Sequence, residues 1–326
     1  FYLSRLFKDI PQLIKEFQLN IKNDNEAITQ YYNQKRNIPQ RYAADFTVTV
    51  KEIKPIMTLL NIDLDVSKNT FIEGRFLNGP VSSVQAFTEI DTIRYGNTFL
   101  YQTEFDLHAS KDADSTEALA MVYLFSNKQE IGRLKTRNLY SEVMWDKSHI
   151  DVDFSIVQQE TTNRIDLSGI IDFYDSTRIQ LLPSTISILE KKWEVIPNNS
   201  IKISGKEWRF NNFGFRQLQQ ALTLNGRISA DSSKQLTLAV SNFDLTNINP
   251  LIIHKLEGEL NSIIVLNNFY KQQNIQNTLS VNNLLVDDFL FGNITGNNVW
   301  DPVKRIFNLE FFIDRLESPC HYRYIQ

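Results

Sequence analysis

The most regular feature of the chain is an alternation of apolar and polar residues from Trp193 to Leu245. Successive side chains of a β-strand point to opposite faces of a sheet, so this pattern predicts strands with one apolar and one polar face. The apolar segments are short and are separated by turn residues such as Pro197-Asn198-Asn199, Gly205 and Asp231-Ser232-Ser233. The stretch therefore predicts consecutive strands that form one sheet with a single apolar face.

The same period-two pattern covers residues 42–316, with almost no helical spacing between the strands. The fold class we predict is all-β, built from one continuous sheet. Two stretches, starting near residues 44 and 236, share a layout of strand, Ile-x-Pro, short apolar turn of helix and Glu-Gly, which indicates a repeated unit. Residues 317–326 break the alternation and are predicted to form an atypical tail.

Residues 1–41 are the least strand-like part of the chain, and we predict that they are helical or partly ordered. Apolar residues recur there at helical spacing and predict an amphipathic helix that is interrupted or restarted at Pro11. The recurring positions are Leu3, Leu6, Phe7, Ile10, Leu13, Ile14 and Phe17.

Composition excludes several classes of protein. A net charge of −4 over 326 residues does not favour nucleic-acid binding, which requires a clustered basic face. Four histidines without ligand spacing and a single cysteine predict no metal site. No apolar run is long enough for a membrane-spanning helix, and the chain begins without Met, so we expect an internal piece of a longer protein.

Acidic pairs and histidines are the candidate catalytic groups of the chain. Asp63/Asp65, Asp151/Asp153 and Asp287/Asp288 have the composition of a two-carboxylate or calcium site, but alternating acids are typical of the wet face of a strand. The histidines stand apart from any Ser or Cys nucleophile, so no catalytic residue and no cofactor is predicted. The aromatic residues of the central stretch could stack on sugar rings, although aromatic residues are favoured in strands in any case.

A sheet with one apolar face must have it covered by a second sheet, by helices or by a ligand. Periodicity alone favours a β-sandwich or β-helix whose apolar faces fill each other. The pattern is compatible with two functional classes. One is a lipid-binding groove, and the other is a structural or adhesin-like β-solenoid that binds protein or glycan through its outer face. A carbohydrate-active enzyme is disfavoured because acids and aromatic residues are spread along the chain.

An ordered series of short motifs runs from residue 186 to residue 313. Its members include Trp193-Glu194-Val195-Ile196-Pro197, Leu224-Asn225-Gly226-Arg227-Ile228-Ser229, Asn242-Phe243-Asp244-Leu245 and Leu256-Glu257-Gly258-Glu259-Leu260. This series resembles the C-terminal region of the TamB family, the translocation and assembly module subunit of the AsmA-like bridge-type lipid transfer superfamily. The abundance of Asn is similar to that of members from Bacteroidetes.

The resemblance implies an elongated, coiled, U-shaped (taco-like) β-sheet with an apolar inner groove and a polar outer face. It implies a periplasmic protein that is anchored in the inner membrane, reaches an outer-membrane Omp85-class (TamA-like) partner and conducts phospholipid between the membranes. A role in outer-membrane protein assembly is implied as well. The chain departs from the family after Leu316, where the strands that meet the partner should follow.

Alternation and resemblance together predict the residues that line the groove. They are the apolar positions of the strands between residues 179 and 238, which we expect to face one way. The twelve residues are Ile179, Leu181, Ile186, Ile188, Trp193, Val195, Ile201, Ile203, Leu222, Leu224, Leu236 and Leu238.

Overall fold

A computed structural model describes residues 3–34, 41–59, 61–113, 115 and 117–315 of the chain. Over these ranges the protein is mostly β, with twenty strands in antiparallel sheet, three α-helices and one 3₁₀ helix. The predicted all-β class is confirmed. The predicted tail, residues 317–326, lies outside the described residues. The chain divides into two compact units, Phe1–Thr177 and Arg178–Gln326, which are described separately below.

The first unit begins with two helices and continues as a meander in which β1 and β3 to β9 pair in chain order, while β2 pairs with β4. Its helices are α1 (Leu3–Lys22), α2 (Asn25–Gln34) and α3 (Lys54–Leu59). Its strands are β1 (Tyr42–Val50), β2 (Leu64–Val66), β3 (Thr70–Asn78), β4 (Val81–Tyr95), β5 (Thr98–Asp112), β6 (Ala118–Ile131), β7 (Leu134–Asp146), β8 (His149–Gln158) and β9 (Arg164–Phe173).

The second unit contains the central stretch of the sequence. From β13 to β20 each strand pairs with the next, and β12 pairs with both β11 and β14. Its strands are β10 (Thr177–Leu181, starting at the unit boundary), β11 (Thr185–Ile188), β12 (Lys191–Val195), β13 (Ser200–Ser204), β14 (Glu207–Gln217), β15 (Gln220–Ile228), β16 (Gln235–Asp244), β17 (Leu256–Asn267), β18 (Asn274–Val286), β19 (Phe289–Asp301) and β20 (Ile306–Asp314). The 3₁₀ helix, Leu245–Leu251, lies between β16 and β17.

Helix α1 packs against apolar residues of the sheet of the first unit. Leu6 and Leu13 are buried in a cluster with Phe76 of β3 and its cross-strand neighbours. Further along the helix, the ring of Phe17 packs edge-on against Trp145 of β7, with 5.3 Å between ring centroids. The helix therefore gains its stability mainly from the apolar surface that it buries, as short helices generally do.

The predicted interruption at Pro11 is wrong, because α1 runs through this residue from Leu3 to Lys22. Proline removes one backbone donor and crowds the preceding turn, which usually breaks a helix. Here Pro11 is exposed, so the carbonyl that loses its partner can be solvated. The buried positions on either side, Leu6 and Leu13, hold both halves of the helix on the same sheet.

A charged contact is buried between α1 and β5. The carboxylate of Glu16 lies 3.6 Å from the ammonium of Lys111, and their side chains are 4% and 1% exposed. Lys111 also donates hydrogen bonds to the carbonyls of Asp112 and Ser115, and Tyr31 donates one to Glu16 at 3.0 Å. Such a pair is stable only because its remaining hydrogen-bonding positions are also satisfied.

Three β-bulges in the second unit are built in the same way. In each, an Asn with left-handed backbone forms the extra residue, and its N–H donates to the side-chain oxygen of an Asn on the next strand. Asn tolerates this backbone conformation better than other residues with a Cβ. The extra residue lets apolar positions three apart stay on one face. The donor and acceptor pairs are Asn212 and Asn225, Asn242 and Asn261, and Asn283 and Asn293.

Candidate functional site

The strand registers bring ten of the twelve predicted residues onto one face of the second unit. Residues that lie opposite each other in an antiparallel pair point to the same side of the sheet. Trp193 lies opposite Ile186, and Val195 lies opposite Phe215, which in turn faces Leu222. Ile188 joins this set because it is two residues from Ile186 on β11.

The remaining registers extend the same face. Ile201 and Ile203 lie opposite Phe210 and Trp208. Across the next strands, Leu224 lies opposite Leu238, and Leu236 lies opposite Gly226, the partner of Phe210. We call this surface the apolar face; it consists of these ten predicted residues and the apolar residues that share their side of β14 to β20.

The two remaining predicted residues, Ile179 and Leu181, lie on β10 and share a side of that strand, because they are two positions apart. Both are half-buried. The side chain of Asn199 accepts a hydrogen bond from the N–H of Leu181 and donates one to its carbonyl, each at 2.8 Å. Asn199 thereby anchors this short strand beside β13.

The apolar face extends well beyond the predicted set. Apolar and polar residues alternate in the sequence from residue 260 to 266 and from 306 to 313. This alternation could have identified the residues of β17 and β20 that belong to the apolar face. The additional residues on β17 to β20 are Leu260, Ile264, Leu266, Ile275, Leu279, Val281, Ile294, Trp300, Phe307, Leu309, Phe311 and Ile313.

The opposite face of these strands is mostly polar. Arg209 and Arg227 are cross-strand partners there, and Arg227 forms a 3.2 Å ion pair with Glu207. Thr237 and Asn297 continue this side on β16 and β19. The sheet of the second unit is therefore amphipathic, as its alternation predicted.

Burial differs along the apolar face. Trp193, Val195 and Ile201 are 3%, 7% and 9% exposed, whereas the other predicted residues are half-buried. Leu224 and Leu238 lie on strands that are flanked on both sides, so their remaining exposure arises from the apolar face itself. The apolar face is thus closed near β12 and partly open from β14 onward.

Contacts between β12 and β16 close this end of the apolar face. The rings of Trp193 and Phe243 lie 5.7 Å apart, and the ammonium of Lys191 lies 2.5 Å from the carboxylate of Asp244. Because β14 and β15 separate these strands within the sheet, the sheet of the second unit must curve toward its apolar side here. The bulges at Asn212 and Asn242 favour such bending.

The closing ion pair should make stability depend on pH. Burial alone would raise the pKa of Asp244, but hydrogen bonds from Lys191 and Thr246 outweigh it and hold the pKa below the ordinary 3.8. A depressed carboxyl pKa adds stability above its unfolded value, and this stability is lost as the pH falls through the folded value. The nearby Glu259, opposite Asp244 in the register, is exposed and adds a like charge.

We therefore expect Asp244→Asn to lower the free energy of unfolding at neutral pH by an amount that shrinks as the pH falls below about 4, where the unfolded carboxyl becomes protonated first and the folded carboxyl follows at its lower pKa. Urea unfolding of both proteins across this range measures the difference. A difference that stays constant into strong acid would contradict a stabilising Asp244 carboxylate.

Several of the candidate catalytic acids and histidines form ion pairs at the surface. Asp63 lies 2.6 Å from Arg94, and His254 lies 2.7 Å from Asp287. His149 contacts two carboxylates, and hydrogen bonding to the nearer one, Asp172, raises its pKa. Within the described ranges, no three His, Cys, Asp or Glu residues come together in a way that could hold a metal ion.

No protein-family model, curated protein or solved structure matches the chain. None of the helices in the described part of the chain has both the length and the apolar character needed to cross a bilayer.

Proposed function

We propose that the apolar face of the second unit binds the acyl chains of phospholipids and that the full-length protein conducts these lipids between the inner and outer membranes. The observation that carries the proposal is the half-open apolar face that runs from β14 to β20. A half-buried apolar surface of this extent on a sheet with a polar opposite side is typical of a binding surface.

The energetics suit weak, repeated binding. Burial of apolar surface contributes roughly 25 cal/mol per Å², or about 0.8 kcal/mol per CH₂ group. Each row of Leu, Ile and Phe across the strands offers a similar surface, so neighbouring positions should bind an acyl chain with similar affinity. A chain can then move along such a surface without a large barrier at any one row.

The motif series from residue 186 to residue 313 supports a TamB-like role. On this proposal the protein works in the periplasm, with an inner-membrane anchor elsewhere in the full-length chain. The proposed partners are phospholipid and, for the full-length protein, an outer-membrane Omp85-class (TamA-like) protein that it assists in outer-membrane protein assembly. Nucleic acid is not among the proposed partners, and no enzymatic step is needed.

The test is photo-crosslinking with a benzophenone amino acid at Leu238, together with mass spectrometry of lipids that co-purify with the protein. Leu238 is half-buried on the apolar face, and we expect phospholipid to crosslink there. Thr237 is the matched control, because it is the next residue on β16 and points to the polar side.

Crosslinks at Leu238 but not at Thr237 would support acyl binding at the apolar face. Equal labelling at both positions would indicate non-specific contact with lipid. A lipid-free protein without any crosslink would contradict the proposal and favour the β-solenoid that binds protein or glycan through its outer side.

A further inference from the structure

A small polar patch interrupts the apolar face where β17, β18 and β19 lie side by side. Asn277 of β18 lies opposite Ile264 on one side and Asn298 of β19 on the other, so both Asn side chains share the apolar face. Ser262 of β17 belongs to the same face and donates a 2.8 Å hydrogen bond to the side-chain oxygen of Asn277. We call Ser262, Asn277 and Asn298 the polar patch.

Asn298 is the unusual member of the polar patch. It is 5% exposed, and its side-chain oxygen has no hydrogen-bond partner among the described residues. Leaving a buried acceptor without a donor is costly, and most buried polar groups in proteins are paired. The oxygen of Asn277, in contrast, accepts the hydroxyl hydrogen of Ser262.

The surroundings of Asn298 are apolar. Leu309 lies opposite it on β20. On one side along β19, the ring of Phe311 lies so close to Gly296 that a Cβ there would be 2.6 Å from a ring carbon. On the other side, the rings of Trp300 and Phe307 are 4.9 Å apart. A group that reaches the oxygen of Asn298 would therefore pass between aromatic and aliphatic side chains.

We infer that the polar patch is a selective site for lipids that carry a hydroxyl or amide N–H donor close to the apolar chain, an inference that rests on acyl binding at the apolar face. The donor would bond to the oxygen of Asn298 while the chain packs on the neighbouring rings. A saturated chain without a donor gains the apolar contacts alone, since the carboxamide oxygen can only accept. The apolar face then binds acyl chains generally and discriminates among them at one place.

The experiment compares palmitic acid with β-hydroxypalmitic acid, which has the same chain length and one added donor. Displacement of a fluorescent fatty acid from the purified chain measures both affinities. We expect the wild-type protein to bind the hydroxylated acid about two- to tenfold more tightly, the range of one net hydrogen bond. Asn298→Leu should abolish this preference, so that the variant binds the two acids with equal affinity.

Asn297→Leu is the matched control, because Asn297 is the preceding residue on β19, exposed and on the polar side, and it should retain the preference. Equal affinities of the wild-type protein for the two acids would overturn the inference and leave acyl binding intact. Binding of neither acid would overturn both proposals. In urea, Asn298→Leu should unfold at or above the wild-type midpoint, and a lower midpoint would show that the amide oxygen is paired in solution and overturn the inference.

Discussion

Lys111→Met should lower the free energy of unfolding of the first unit by about 3–5 kcal/mol, the usual cost of breaking a buried ion pair from one side. The methionine fills most of the space of the lysine but removes the ammonium that lies 3.6 Å from the Glu16 carboxylate, which is 4% exposed. Hydrogen bonds from Tyr31 and Gln12, at 3.0 and 3.5 Å, compensate only in part. Urea unfolding followed by the fluorescence of Trp145, which contacts α1 through Phe17, measures the loss.

Two further variants show whether the loss comes from the unpaired charge. Lys147→Met removes the cation of an exposed pair, in which the ammonium is 3.8 Å from Glu117, and should cost at most about 1 kcal/mol. Glu16→Gln combined with Lys111→Met should recover much of the stability, because neither residue of the buried pair then carries a charge. If the double variant is as unstable as Lys111→Met, the loss arises from packing instead.

Trp193→Ala should lower the free energy of unfolding of the second unit by about 3–5 kcal/mol, as large-to-small changes of buried aromatic residues do. The side chain is 3% exposed and packs against Phe243 across two intervening strands, so its removal leaves a cavity where the sheet closes. Trp193→Phe should cost much less, because the indole N–H has no partner among the described residues and no hydrogen bond is lost.

Trp208→Ala is the control for this position. Trp208 lies on the same face but is 38% exposed, so the same truncation removes less buried surface and should cost clearly less. Urea unfolding followed by far-UV circular dichroism compares the three variants with the wild-type protein. Similar losses for Trp193→Ala and Trp208→Ala would contradict the closed end of the apolar face.

The strands and their apolar side could be predicted from sequence because period two is a local property. Leu222, Leu224, Leu236 and Leu238 share a face in the structure as their spacing predicted. The bulges preserve this outcome, since Asn212 supplies the extra residue that returns Phe213 to the face of Phe210. The U-shaped groove, its ligand and its cellular place remain predictions.

Features that depend on distant contacts could not be read from the pattern. Pro11 predicted a broken helix. The helix continues because Leu6 and Leu13, on either side of Pro11, both pack on the sheet beneath α1. From its sequence context, a lysine that follows Ser110 on β5, Lys111 would be expected to be exposed to solvent. In the structure it is buried against Glu16, which is distant in sequence. The contact between Trp193 and Phe243 requires curvature of the sheet, which alternation alone does not specify.

The chain-order pairing from β13 to β20 has a consequence for folding. Each strand from β13 to β19 pairs with the strand that directly follows it, so paired residues are separated in sequence by no more than one hairpin. Low contact order favours rapid folding, in contrast to β-sandwiches with long crossover connections. Stability in such an array is close to a sum over adjacent strands. Strands can therefore be gained or lost two at a time, as whole hairpins, during evolution. Such a change alters the number of strands in the sheet and keeps the antiparallel order of the remaining strands.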